Sequence, residues 1–204
     1  MLTSHPPTTV HQDTRERILL TGESLILGKG FSALGLSEIL GAAAVPKGSF
    51  YHYFQSKEGF GVAMLERYFA DYQLRLRREL QEDGRPACER LLAYFDGWLE
   101  SSRASSCNKL CLAVKLAAEV SDLSEPMRQA LTVGMQSITA VIADIKREAQ
   151  TEGQLRDQSQ KQDALELAEF IYATWVGASL LSKVHLEIRP LELAMQQTKV
   201  LLHA

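Results

Sequence analysis

The 204-residue chain is poor in cysteine, with three, and in proline, with six. Three cysteines make no disulfide framework, so a reducing cytoplasm is the expected compartment, with thiols free to react. No run of 18 apolar residues occurs, and no positively charged N-terminus precedes an apolar stretch. Neither a membrane span nor a signal peptide is expected. A glycine-rich phosphate loop and a Cys/His set at metal-ligand spacing are also missing, so no cofactor or metal is expected. A thiol hydrolase would need a histidine base and a group to orient it. The candidate His185 has no acid or amide evidently placed for that, and the chain reads as not an enzyme. Excess positive charge is absent too. The net charge is −3, and residues 1–60 hold five Lys/Arg against five Asp/Glu. That balance predicts only modest non-specific affinity for nucleic acid.

What is present is helical pattern, with no convincing alternating strand. Thr14–Gly28 places Ile18, Leu19, Gly22, Leu25 and Ile26 on one face, and Gly28 and Gly30 suit a left-handed cap. LSEILGAAAV then reads as a short amphipathic helix, and Pro46 opens a second one. Two short helices joined by a tight turn read as a helix-turn-helix, whose second helix enters the DNA major groove. Lys47, Tyr51, His52 and Tyr53 can reach bases or phosphates, and Lys57 is placed for a phosphate. Gly48 and Ser49 keep the helix start slim, and Ser37 joins them as an expected DNA contact. No acid occurs between Glu38 and Glu58 to repel phosphates. Phe50 and Phe54, four apart, are expected to face the core.

The stretch from Gly30 to Lys57 resembles the DNA-binding domain of the TetR family of repressors. The resemblance rests on the Gly-Phe after the first helix, the small turn, Lys-Gly-Ser, the Tyr-His-Tyr-Phe run and the following Ser-Lys-Glu. It implies an all-α, TetR-like fold of about nine helices. Residues 11–57 would be an N-terminal three-helix DNA-binding domain, and residues 58–204 a helical sensing and dimerisation domain. It also implies a cytoplasmic homodimer that reads a palindromic double-stranded operator. Ala44 departs from the pattern, because the family usually has glycine there. If that turn is left-handed, alanine costs on the order of 1 kcal/mol.

Ser56 is expected to cap a long fourth helix, on which Arg75, Arg77 and Arg78 read as a solvated face. Further helices follow over Cys88–Arg103, Leu110–Val120, Glu125–Thr151 and Asp163–Val184, and the last opens at Pro190. The final two carry surplus apolar surface, which suggests the dimer contact. Tyr94, Trp98, Tyr172 and Trp175 are candidates to line a ligand pocket, although each could equally be core.

A repressor needs a sensor. Cys111 lies at the start of CLAVKLAAEV, where the helix dipole favours thiolate, and Lys115 is one turn on. A buried small hydrophobe is the plain alternative. CLAVKLAAEVSDLSEPMR resembles a subgroup of the family whose members respond to electrophiles, and the modifiable cysteine of that subgroup falls on Cys111. The resemblance thus implies a small electrophile or oxidant as effector. Cys88 and Cys107 do not match it. Lys183 either points inward, where it would steady a thiolate, or snorkels out of its helix end.

Overall fold

The computed structural model describes residues 10–81, 84–107, 112–155 and 161–203. Among these there are helices and no strand. They are α1 (Val10–Lys29), α2 (Leu36–Ala43), α3 (Lys47–Phe54), α4 (Lys57–Glu79), α5 (Ala87–Ala104), α6 (Leu112–Val120), α7 (Glu125–Thr151), α8 (Ala164–His185) and α9 (Arg189–His203). The all-α expectation of about nine helices holds.

Caps follow the residue chemistry. The Ser56 hydroxyl accepts from Gly59 N–H at 2.9 Å and opens α4, as expected. The Ser124 hydroxyl accepts from Met127 N–H at 3.2 Å and opens α7. Asp163 accepts from Leu165 and Glu166 N–H and opens α8. Gly30, not Gly28, is the left-handed cap of α1: its φ is 89°, and its N–H reaches the Ile26 carbonyl at 2.8 Å. Gly28 lies inside the helix. The polar stretch from Ser101 to Ala104 forms the last turn of α5.

The residues pack into two compact units, Met1–Arg67 with Lys115–Leu131, and Tyr68–Val114 with Thr132–Ala204. The ranges of α4, α6 and α7 each run through both. In the first unit, α1 packs on α2 and α3. Its core holds Ile18, Leu19, Ile26, Leu34 and Ile39, closed by a phenylalanine cluster. Phe50 lies 5.1 Å from Phe54 and 5.6 Å from Phe60, centre to centre, and both helix-turn-helix phenylalanines are buried, as their spacing predicts. Gly22 is needed because a Cβ there would run into the Phe60 ring. Arg67 of α4 pairs with Glu16 and Glu23 of α1.

The turn between α2 and α3 is left-handed. Ala44 has φ 52° and ψ 49°, and it carries the strain that its side chain predicts. Ala44→Gly is therefore expected to stabilise the protein by about 1 kcal/mol, a few degrees in thermal midpoint. Differential scanning calorimetry checks this.

In the second unit, α9 packs on α8 and on α5. The core is built around Phe95, Leu91, Leu99, Ile171 and Trp175. Alone among the described helices, α8 is long and apolar enough to cross a membrane. One face of it, from Ala164 through Trp175 to Ser182, is buried against its neighbours, as in the core helix of a water-soluble unit.

Candidate DNA interface and sensor region

The α3 helix sorts its side chains by period. Phe50 and Phe54 point to the core, which forces Lys47, Tyr51 and His52 outward. Tyr51 is 43 % exposed, with its ring edge-on to Phe50 and the Lys47 ammonium 5.8 Å from its centre. Tyr53 is half-buried and lies edge-on to His52. Gly48 is exposed with open space about it, and Ser49 is half-buried. Ser37 is exposed in the first turn of α2. No side chain caps the N-termini of α2 or α3. Uncapped amides at a positive dipole end suit a phosphate oxygen. At the far end of α2, the Arg17 guanidinium donates to the Ala43 carbonyl at 3.1 Å.

Lys57 has contacts within the protein. Its ammonium lies 4.7 Å over the Phe31 ring and 3.5 Å from the Ser32 carbonyl. Burial lowers its pKa, against the opposing pull of Glu119.

Glu119, which the sequence did not single out, holds the joint between α1 and α2. Its carboxylate accepts from Phe31 N–H at 3.1 Å and Ser32 N–H at 2.6 Å. Burial pushes the Glu119 carboxyl up, but these amides, the Ser32 hydroxyl and Lys115 together hold it below the usual range. Its contribution to stability is thus present above the ordinary carboxylate pKa and lost as pH falls through the folded value. Lys115 belongs here as well. It donates to the Leu27 carbonyl at 2.6 Å, where it neutralises the negative end of α1. The segment Lys115–Glu119 of α6 thereby grips the end of α1 and the loop that leads to the helix-turn-helix.

Cys111 lies outside the described residues. Cys88 and Cys107 are both buried. Burial, with Glu152 adding and Lys146 opposing, pushes the Cys88 thiol up to about 11. A thiol so raised is a poor nucleophile at neutral pH. Lys183 is half-buried in the last turn of α8.

The four aromatic pocket candidates separate. Tyr94 and Trp98 line a cavity of about 610 Å³ between α4 and α5, where Tyr94 Oη meets Tyr72 Oη at 2.6 Å. Trp175 is sealed in the core. It stacks on Phe95 at 4.8 Å, and its indole N–H donates to Thr198 Oγ1 at 2.9 Å. With 0 % exposure and a satisfied indole, Trp175 packs in the core and does not line that cavity. Tyr172 is buried on the same side of α8 and does not line that cavity.

The chain is similar to known proteins over most of its length. Residues 18–64 match the bacterial regulatory proteins of the tetR family, and residues 87–198 match a tetracyclin repressor-like C-terminal domain. The HTH-type transcriptional repressor NemR of Escherichia coli K12 is 44 % identical over 187 residues, 92 % of each chain. The transcriptional regulator AcuR of Cereibacter sphaeroides is 35 % identical over 93 % of this chain and 90 % of its own. The crystal structure of E. coli NemR in its reduced form superposes with a TM-score of 0.85 at 43 % identity, covering 94 % of this chain and 98 % of that one. The chain is a DNA-binding transcriptional regulator rather than an enzyme, and it belongs to the TetR family.

Proposed function

We propose that this protein represses transcription from a palindromic operator and releases it when an electrophile or oxidant modifies Cys111. The observation that carries the first half is the outward row of Lys47, Tyr51 and His52 beside two uncapped helix ends, with no acid from residue 39 to 57. Phosphate contacts would position the helix and the ring edges would read bases. Two copies are needed to read both half-sites. Leu180, Leu181 and Val184 of α8 and Leu193 and Val200 of α9 are exposed and apolar, and they supply the surface for pairing.

The second half draws support from α6. Cys111 directly precedes this helix, whose Lys115 and Glu119 hold Leu27, Phe31 and Ser32. A bulky adduct at the start of α6 would displace the grip at its other end and so re-aim α2 and α3. With an α,β-unsaturated carbonyl, the thiolate sulfur bonds to the β-carbon. The alkene pair moves toward the carbonyl and takes a proton from water. Similarity to NemR, whose solved form is described as reduced, favours thiol chemistry.

The test is a labelling race. With limiting N-ethylmaleimide, peptide mass mapping should find Cys111 modified at least about tenfold faster than Cys88 or Cys107, because both of those are buried. Earlier labelling of either buried thiol would contradict the assignment. The cavity beside Tyr94 and Trp98 supports a second reading, in which a non-covalent ligand is the signal.

A further inference from the structure

We propose that the groove between α4 and α5 binds a small planar carboxylate. Its walls are aromatic: Tyr72 from α4, and Tyr94 and Trp98 from α5. Its floor is left open by Gly97, where a Cβ would meet nothing within 4 Å. The volume, about 610 Å³, is within the range of small-molecule sites. Flat walls and an open floor take a flat ligand.

The charge selects the ligand's sign. Among the described residues, Arg75 and Arg85 line the groove with one carboxylate, Glu79. Arg75 makes no ion pair with a described residue, and its guanidinium lies 5.0 Å over the Tyr72 ring. Stacked in this way, a planar guanidinium keeps its N–H edge for a partner. Its fork geometry matches a carboxylate in two parallel hydrogen bonds. Ser101 lines the groove on the α5 side and adds a hydroxyl. None of these residues belongs to the DNA-reading helices, and none is a thiol, so the site is independent of both.

The test uses full-length protein carrying Cys111→Ser, so that no thiol adduct at that position contributes. Benzoate and its neutral isostere benzamide are titrated while tryptophan fluorescence is followed. The chain has two tryptophans, Trp98 in the groove and Trp175 packed 5.5 Å from it, so a change on binding reports the groove. Benzoate should bind saturably and at least about tenfold more tightly than benzamide. Arg75→Gln should abolish that preference, whereas Glu79→Gln should tighten benzoate several-fold by removing the opposing charge. Both side chains are exposed, and circular dichroism should show the fold unchanged. The proposal is overturned if benzoate does not saturate by about 10 mM. Equal affinity for the two probes, or no effect of either variant, overturns it as well.

Discussion

Replacing Lys47 and Tyr51 together by alanine is expected to weaken operator binding by about two orders of magnitude, at one to three kcal/mol per contact. The thermal midpoint should fall little with it. Lys47 projects from α3 into solvent, and Tyr51 meets the phenylalanine cluster only edge-on, at Phe50. The two losses should differ in kind. Removing the Lys47 charge should weaken all DNA sequences alike and reduce the slope of affinity against salt by about one ion. Removing the Tyr51 ring should narrow the gap between operator and unrelated DNA. Phe50→Ala is the contrast. That residue is fully buried, so its loss should unfold the first unit and abolish binding for a different reason. Fluorescence anisotropy at several salt concentrations, with a melting curve for each variant, separates the cases.

Trp175→Ala is the largest expected stability effect, about 3–5 kcal/mol. The indole stacks on Phe95, packs 5.5 Å from Trp98 and donates to Thr198. Its removal leaves a large void and an unpaired hydroxyl acceptor. Against a typical total of about 5–15 kcal/mol, such a loss leaves little margin. Chemical denaturation should show the midpoint falling steeply. A variant of wild-type stability with altered response to ligands would instead restore Trp175 to the pocket. Trp98→Phe should be far milder, because one side of that ring faces the groove.

The sequence disclosed features that depend on near neighbours along the chain. The helix-turn-helix was legible because Pro46, Phe50 and Phe54 fix a start and a buried face within eight residues. The cap at Ser56 follows the same logic. Ala44 was marked by the resemblance, which has glycine there, and the turn proves left-handed. Features made across the chain were not legible. Glu119 meets Phe31 and Ser32 from nearly ninety positions away, and no local pattern marks a carboxylate for that purpose. Lys115 looked like a partner for Cys111 because the two share a helix face by spacing. Its bond to the Leu27 carbonyl, 88 positions away, carries no such local mark. Trp98 and Trp175 lie on similar apolar stripes, and only the placement of α4 and α9 against them separates a groove wall from a core anchor.

The most direct measurement is operator release. Wild type and Cys111→Ser are mixed with DNA from the promoter beside the protein's own gene, with and without N-ethylmaleimide, and run on a native gel at near-physiological salt. The account predicts that both bind, that the reagent frees wild type from the DNA, and that Cys111→Ser holds on. If the variant lets go as readily as wild type, Cys111 is not the sensor, and the signal enters through another thiol or through the groove.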